Sequence, residues 1–468
     1  MTNRLRQLAR SRTVRLVLWM LLHVILLSAA LAGAWWLNRR LDVPAALVPG
    51  IPALAGYWLP LLVLLAYAGG WLAWALLRTT GEPSAGDFPD LADAWQAGRR
   101  AVADAAIDIR KVPVLLVLGK PAGGPADYFH AAGDWVVRAA PSADAPVQVF
   151  ASRQLVCVAV PGAGATSAIA GRPVAAPPTA GQPAPVLDLL DAPTPAAEAS
   201  VPGVADPVDW LPAAGQAAML KLDPAVVARL QFVAGCVMAA RRPFCATNGL
   251  VWLLPATAVA DAGPAAELAE AVRTDLAAVE GVCGLDLPST VVMVGAEGVP
   301  GFRELAAGLP ASATGGRGLG CPFPLRPADG PAKLIADGVG WLTGPLLAGL
   351  AYRQMAAGGG SAGWRFAAAW AVRRDHLTRL VVGGLLGRAE RPPLVTGVYL
   401  AGTGTAAEDR GFAAAPLAAA AALEDAVSWR PAARRADRTD RRLAAVVYLL
   451  LATGLAAVAG FGVRVLKG

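Results

Sequence analysis

The pattern of hydrophobic and polar positions separates long, uninterrupted apolar stretches from segments in which apolar residues recur periodically. Three stretches, at residues 14–37, 56–77 and 443–465, reach the roughly 20 apolar residues that a helix needs to cross a bilayer. None of the three has a polar face, which argues against helices that lie on a membrane surface. The sequence therefore predicts three transmembrane helices.

Arginines beside these stretches predict their orientation. Five arginines lie between Arg4 and Arg15, and six lie between Arg430 and Arg442, immediately before the third stretch. Because basic residues stay on the cytoplasmic side, residues 1–13 and 78–442 are predicted to be cytoplasmic and the C-terminal end periplasmic. The first stretch is too long for a signal-peptide core and has no clear cleavage site, so we interpret it as an uncleaved anchor.

Between the second and third stretches, short apolar runs alternate with helical patterns. Strand candidates lie at 112–118, 147–150, 155–160, 249–255, 290–294 and 395–400. Helical patterns lie at 127–140, 224–240, 265–280, 332–355 and 364–388. Leu268, Val272 and Leu276 illustrate the four-residue spacing of an apolar helix face. Alternating buried strands and helices predict a doubly wound α/β sheet.

The organisation predicted for this part has an α/β domain at 78–330 and a helical extension at 331–442. The acidic segment 78–108 is predicted to be a helical connector to the membrane. Residues 171–208 are rich in Pro and Ala and are predicted to form an extended or disordered insertion.

A glycine-rich turn follows the first predicted strand, in the run Val112–Ala126. Gly119 and Gly124 keep the spacing of a phosphate loop, Gly-x4-Gly-Lys-Ser/Thr, but Pro125 stands at the lysine position and Ala126 at the hydroxyl position. Proline has neither a charge nor a backbone N–H to offer a phosphate, and alanine cannot ligate magnesium. We interpret the chain as a degenerate P-loop NTPase-like domain that has lost its nucleotide site, and we assign no catalytic residue.

Plainer interpretations stand beside this one. The turn Gly119–Gly124 is also compatible with an ordinary strand-to-helix connection, and Lys120 with a solvated loop residue rather than a surrogate phosphate ligand. Gly162–Ser167 resembles a second phosphate loop but lacks its lysine, which favours a flexible turn. His23 has no obvious acidic partner in the predicted membrane spans, so we expect a neutral, packed histidine rather than a proton relay. The pair Asp375–His376 has no nucleophile pattern nearby and is interpreted as part of a charged helix face.

Composition narrows the class of protein. The 468 residues are 56% hydrophobic, with a mean hydropathy of +0.49 and a net charge of +7. Much of the positive excess is membrane-flanking arginine that contacts anionic lipid, and no nucleic-acid-binding motif accompanies it. The five cysteines and three histidines show no ligand spacing, so we expect no metal, no cofactor and reduced cysteines.

Six short motifs occur in an order that is typical of one known family. They are Arg241–Pro243, Asn248–Val251, Arg273–Leu276, Leu285–Pro288, Pro300–Phe302 with Leu305, and Val395–Gly404 with Phe412. Together with the three apolar stretches, this order resembles the N-terminal half of the IcmF/TssM family, the large inner-membrane subunit of type VI secretion systems. The resemblance implies two N-terminal membrane helices, a cytoplasmic GTPase-like domain and a third membrane helix. A large periplasmic region follows that helix in the family, whereas this chain ends at Gly468.

The departures from the family pattern all fall on nucleotide chemistry. The family's Asp-Thr-Ala-Gly corresponds to Val158–Gly164, which contains no carboxylate. Its base-reading Thr-Lys-x-Asp corresponds to Val294–Glu297, where Glu297 is the remaining acceptor for a guanine edge. Phosphate, magnesium and base contacts are therefore weakened together, and we expect no hydrolysis because phosphoryl transfer depends on positioning and charge neutralisation.

The resemblance implies a structural, non-enzymatic scaffold of a type VI-like apparatus. Its implied partners are a DotU/TssL-like membrane protein, further copies of the chain and baseplate proteins, with contact surfaces expected on helices at 265–282 and 332–388. The alternative is a nucleotide-binding switch that uses Lys120, amides around Gly123–Gly124, and Glu297. A transporter or channel subunit is a third class, for which the nearly uncharged spans offer no polar pathway.

Overall fold

The structure is a computed structural model that describes residues 12–41, most of 59–70, 86–171, 223–324, 330–387 and 394–439, and Arg442. The chain divides into two compact units. One comprises Met1–Glu82 with Arg434–Gly468, and the other Pro83–Ala433. The predicted third span (443–465) and nearly all of the predicted insertion (171–208) lie outside the described residues.

Helix α1, Arg12–Leu41, is the main described element of the first unit. Its 30 residues enclose the whole predicted span 14–37 and correspond to about 45 Å at 1.5 Å per residue. His23 packs against a residue of the second predicted span, because its Nδ1 lies 3.2 Å from the Tyr67 hydroxyl. The histidine is therefore packed between helical segments, as expected, while crossing of a membrane stays a prediction.

The α/β unit contains eleven described strands. They are β1 (Val114–Leu118), β2 (Val137–Ala140), β3 (Gln148–Ala151), β4 (Val156–Ala159), β5 (Gly249–Pro255), β6 (Leu285–Asp286), β7 (Ser289–Val294), β8 (Leu319–Pro322), β9 (Val395–Thr403), β10 (Arg410–Gly411) and β11 (Ser428–Trp429). Every strand candidate of the sequence analysis corresponds to one of them. Sequence reasoning missed β2, β6, β8, β10 and β11, all of which are short and lie at sheet edges or outside the main sheet.

Nine strands form one sheet in the order β10-β9-β7-β5-β1-β4-β3-β2, with β8 also paired to β9. The five central strands β4, β1, β5, β7 and β9 are parallel to their neighbours. Pairs β3–β4, β2–β3, β8–β9 and β10–β9 are antiparallel. The sheet is therefore mixed with a parallel centre, which confirms the α/β class. Strand β9 lies in the predicted helical extension and pairs with β7 of the predicted α/β domain, so both segments share one sheet.

Helices cover both faces of the sheet. Those of the α/β unit are α2 (Pro89–Asp104), α3 (Pro125–Ala132), α4 (Ala165–Ala170), α5 (Pro224–Arg241), α6 (Ala262–Cys283), α7 (Phe302–Ala307), α8 (Ala311–Gly316), α9 (Pro331–Trp341), α10 (Leu347–Ala356), α11 (Ala362–Val381) and α12 (Ala414–Ala421). Short π-helical segments, Leu342–Leu346 and Val382–Leu386, continue α9 into α10 and extend α11.

The two faces of the sheet are covered very differently. One core contains residues of the long helices α2, α5, α6 and α11 together with Leu116 and Trp252 of the sheet. The other core is smaller and relies on the eight-residue helices α3 and α12, with Tyr128 and Phe129 of α3 packed on Leu115 and Val117. Alternate residues of β1 thus enter opposite cores, as expected for a strand buried on both faces.

Two sequence expectations differ from the structure. Residues 78–108 contain α2, which buries Leu91, Trp95 and Val102 and contacts β2 and β3. The helix is thus part of the α/β unit rather than a connector, because its apolar residues at helical spacing are taken into the core. The helix expected at 127–140 ends at Ala132, where Gly133 with φ +136° follows, and β2 forms instead.

Two described helices are long and apolar enough to span a membrane, Pro224–Arg241 and Pro331–Ala356. Length and composition alone select them. Both belong to the α/β unit, and α5 contributes Leu230, Val233 and Val237 to the larger core. Neither coincides with a stretch predicted from the sequence to cross the membrane.

Ion pairs and backbone hydrogen bonds connect the end of the α/β unit to helix α6 and to strand β6. Strand β11 pairs with β6, and the Arg430 guanidinium donates to Glu280 and, at 3.1 Å, to Oδ1 of Asp286. The Arg430 amide also donates to the Gly284 carbonyl at 2.9 Å. Burial raises the pKa of Glu280 to about 7, against the opposing attraction of Arg430.

We predict that Glu280→Gln becomes more stabilising relative to the wild type as the pH rises from 5 to 8. A carboxyl whose folded-state pKa is raised favours folding below the unfolded value of about 4.3 and loses that contribution as pH rises towards 7. At its full size this loss lowers the free energy of unfolding by about 3 kcal/mol, and the uncharged amide of the Gln variant avoids it. Thermal unfolding of the detergent-solubilised chain at each pH measures the difference, and a pH-independent difference would contradict the raised pKa.

Candidate functional site

The carboxyl ends of the parallel strands meet at one edge of the sheet, where ligands bind in open α/β folds. The predicted loop positions 119–126 follow β1, and the predicted base position Glu297 follows β7. Strand β5 lies between β1 and β7 in the sheet. The structure therefore brings both sets of predicted residues to the same edge, about two strand spacings apart, or roughly 10 Å.

Gly119 is required by the packing of the sheet rather than by a ligand. It has φ +102°, and a Cβ at this position would lie 2.1 Å from the Leu253 carbonyl oxygen of β5. Any side chain would clash with backbone that cannot move away. The glycine that suggested a phosphate loop therefore has a purely structural explanation.

Four of the eight positions 119–126 have no free amide for a phosphate. Pro121 and Pro125 have no N–H. The Gly119 amide donates to Ser167 Oγ at 3.3 Å, and the Gly124 amide donates to the Pro121 carbonyl at 2.9 Å. A phosphate loop holds its anion with several unpaired amides, and those of Gly119 and Gly124 are already paired within the chain.

A carboxylate lies against the loop where an anion would have to approach. Asp127 is in the first turn of α3, and its Oδ2 lies 1.7 Å from the position that a Cβ on Gly123 would take. Burial raises the pKa of Asp127, and the nearby charges of Arg410 and His130 oppose this shift. An ionised Asp127 occupies the positive end of α3 with the chain's own charge and repels a phosphate there.

The loop after β4 donates hydrogen bonds to a second internal carboxylate. Asp275 of α6 accepts hydrogen bonds from the amides of Ala165 and Thr166, both at 2.7 Å, and is completely buried. Burial raises the pKa of Asp275, while these two hydrogen bonds act in the opposite direction. Its oxygens satisfy the first amides of α4. The flexible turn predicted at Gly162–Ser167 is therefore wrong, because this segment enters α4 and is held by Asp275.

Glu297 also has an internal partner. Its Oε2 accepts a hydrogen bond of 2.9 Å from the Thr403 amide at the end of β9. Burial raises the pKa of the Glu297 carboxyl. The carboxylate joins the ends of β7 and β9 through Thr403, whose amide and hydroxyl contact its two oxygens.

The remaining candidates lie in ordinary surroundings. Lys120 is exposed. Its Cδ lies 3.3 Å from the position that a Cβ on Gly171, at the end of α4, would take. Nδ1 of His376 lies 3.2 Å from the Val259 carbonyl oxygen, so its contact is with backbone and not with Asp375. Among the described residues no group of three or more metal-ligating side chains comes together, and all five cysteines are free.

The Arg-Arg-Pro and Asn-Gly motifs hold the opposite, amino edge of the sheet. Buried Arg241 donates to the Asn248 side-chain oxygen at 2.9 Å and to the Val112 carbonyl at 3.2 Å. The same Asn248 oxygen accepts from the Val114 amide at 2.9 Å, and Thr247 donates to the Val114 carbonyl at 2.8 Å. These contacts set the start of β5 against the start of β1, so the motif is structural.

Asp275 was missed by sequence reasoning, and its removal tests its role. We predict that Asp275→Ala lowers the free energy of unfolding by about 2 kcal/mol, because two buried amides lose their acceptor. Asp261→Ala is the matched control, since Asp261 precedes the same helix, is exposed and makes no side-chain cap bond. Denaturant unfolding of both variants measures the difference, and equal stabilities would show that Asp275 does not fix the loop.

Comparison with known proteins gives one match. Residues 236–444 match the family model described as the IcmF-related N-terminal domain. The matched region contains Asp275, Glu297 and the Arg-Arg-Pro motif, and it begins after the loop at 119–126. No curated protein and no solved structure matches the chain.

Proposed function

We propose, from the premise that the chain belongs to the IcmF-related family through residues 236–444, that it is a structural inner-membrane component of a type VI-like protein secretion apparatus. The family match carries this proposal. The family suggests a secretion component and an inner-membrane location. The scaffold role, the topology and the specific partners are proposed beyond it.

The geometry of the carboxyl edge supports a scaffold rather than an enzyme. Three carboxylates of the chain, those of Asp127, Asp275 and Glu297, lie at the edge where a nucleotide would bind. Two of them accept backbone hydrogen bonds that fix loops in one conformation. Phosphate sites require free N–H groups and cations. This edge instead has negative charge and amides that are already hydrogen-bonded within the chain.

No observation favours the alternative of a nucleotide-dependent switch. It would need Lys120, the amides around Gly123–Gly124, and Glu297 to act together. Glu297 is bound to Thr403, and Gly124 donates to Pro121. Both groups already have partners within the chain.

Helix α1 supports anchoring in the membrane. Among the side chains that the structure describes in this helix, five large apolar ones are exposed: Ile25, Leu26, Trp35, Trp36 and Leu37. Such a surface is stable when lipid covers it. At its C-terminal end the guanidinium groups of Arg39 and Arg40 lie over the rings of Trp35 and Trp36, at 4.1 and 4.7 Å, an arrangement suited to an interface.

The partners proposed for this scaffold follow from the family. They are a DotU/TssL-like inner-membrane protein, further copies of the chain and baseplate proteins, with anionic lipid at the arginine-rich flanks. Nucleic acid is not among them. The N-terminus and the α/β unit are proposed to face the cytoplasm and the C-terminal end the periplasm.

We predict that Pro125→Lys combined with Ala126→Thr does not create GTPase activity. The two changes restore side chains of a phosphate loop, including its hydroxyl, but leave Asp127 in place and supply neither the carboxylate missing from Val158–Gly164 nor the base contacts. Phosphate release by the purified variant checks this, with Ala122→Lys as a control that adds a loop lysine at a different spacing. Because Pro125 is buried, thermal unfolding must first show that the variant is folded. Turnover in the double variant alone would contradict the proposal.

The scaffold role predicts that specific proteins bind this chain in the membrane. When the tagged full-length chain is purified from gently solubilised membranes of its own cells, we expect mass spectrometry to find a DotU/TssL-like protein and other secretion subunits. An unrelated inner-membrane protein with the same tag is the control. If neither kind of protein is enriched over the control, the family match reflects a shared domain and the secretion role fails.

A further inference from the structure

Helices α9, α10 and α11 form an antiparallel hairpin whose outer side is unusually apolar. The continuous helix Pro331–Ala356 is long and apolar enough to cross a membrane, yet only 39% of its apolar window is buried. The exposed fractions of its largest outward side chains are 46% for Trp341, 59% for Tyr352 and 44% for Met355. Such a surface in a packed domain indicates an interaction site.

Helix α11 continues this surface. Its exposed apolar residues are Trp364 and Val372, at 39% and 79% exposure. Two close approaches show where the helices meet. The Arg374 guanidinium lies 3.0 Å from the position that a Cβ on Gly340 would take, and Gln354 Oε1 lies 2.7 Å from the position that a Cβ on Gly363 would take. Trp341 therefore lies next to an arginine of α11, and Trp364 next to the end of α10.

The charges on the hairpin are predominantly positive. Residues 330–387 contain six Lys and Arg against two Asp. Within the part of the chain that the structure describes, Arg374 and Arg379 form no ion pair, while Arg365 is 3.8 Å from Glu304. A second copy of the same face would bring positive charge against positive charge, which disfavours self-association through it.

We propose that this hairpin surface, defined by Trp341, Tyr352, Met355, Trp364 and Val372 with Arg374 and Arg379, binds an amphipathic helix of a partner protein whose apolar face is bordered by acidic residues. Trp, Tyr, Met and Arg are the residues enriched in the cores of protein interfaces. Two antiparallel helices provide the groove in which an amphipathic helix packs. Complementary charge supplies register and a faster encounter.

An anionic membrane fits this surface less well. Asp337 and Asp375 are exposed on the same helices, and anionic lipid would repel both of them. Asp337 also pairs with Lys333 at 2.8 Å, which reduces the free positive charge at that end of the hairpin. A protein partner can instead match positive and negative positions individually.

Site-specific photo-crosslinking of the full chain in its own cells tests the proposal. The photoreactive residue p-benzoylphenylalanine replaces Tyr352 or Val372, and Phe244 or Val136 at matched control positions. Both controls are exposed apolar residues of the α/β unit outside the hairpin. We expect one partner to be captured at Tyr352 and Val372 but not at the controls, through a peptide with apolar residues at helical spacing and flanking Asp or Glu.

Charge reversal tests the acidic border. Arg374→Glu with Arg379→Glu should reduce the crosslink by about tenfold, while Arg153→Glu, an exposed arginine outside the hairpin, should leave it unchanged. Capture of a second copy, of lipid alone, of a peptide without acidic residues, or of nothing overturns the proposal. A crosslink that does not respond to charge reversal overturns it as well.

The proposal rests on the scaffold function but fails separately from it. Secretion subunits that co-purify without any hairpin crosslink would leave the scaffold role intact and refute this surface. An acidic helix captured at the hairpin in the absence of secretion subunits would support the surface and refute the secretion role.

Discussion

The parallel centre of the sheet must be buried on both faces, and the other features of the α/β unit follow from this constraint. One face has four long helices, whereas the other depends on α3 and α12, whose contact is fixed by the Tyr128 hydroxyl donating to the Ala413 carbonyl at 3.0 Å. The chain that connects β1 to α3 passes the Leu253 carbonyl, where only glycine fits at position 119. The glycine turn persists because the sheet requires it, while no contact of the sheet requires a lysine or a hydroxyl at positions 125 and 126.

Carboxylates of the chain accept hydrogen bonds from amides to which an anion would otherwise bind. Asp275 satisfies the amides of Ala165 and Thr166, and Glu297 satisfies that of Thr403. A buried carboxylate is stable only when donors surround it. Replacing these contacts by a nucleotide would leave buried charges unpaired. Carboxylates of the chain therefore already use amide donors at this edge, which supports the proposal that no nucleotide binds there.

The strands of the parallel centre could be predicted because they are continuous apolar runs, and β1, β5 and β7 lie within one or two residues of their expected bounds. The positions at 119–126 and Glu297 were also correctly expected to follow strands. Asp275 could not be found, because its amide partners are about 110 residues away in sequence and an aspartate within an amphipathic helix looks solvated. The edge strands β2, β8 and β10 carry too few residues for a periodic signal. Helix α2 was predicted to be a connector because charged residues dominate its sequence and obscure the helical spacing of Leu91, Trp95 and Val102.

Helix α6 connects two contacts that bear on the proposed scaffold role. Near its C-terminal end Glu280 holds Arg430, just before the chain leaves the α/β unit, and one turn and a half earlier Asp275 holds α4 at the carboxyl edge. A switch requires an element with two arrangements of similar free energy. Here a single helix is joined to other elements at both points by hydrogen bonds of its carboxyl groups, which favours one arrangement. A domain that must transmit position from a membrane anchor to a bound partner gains from this rigidity, whereas a nucleotide switch would lose its function.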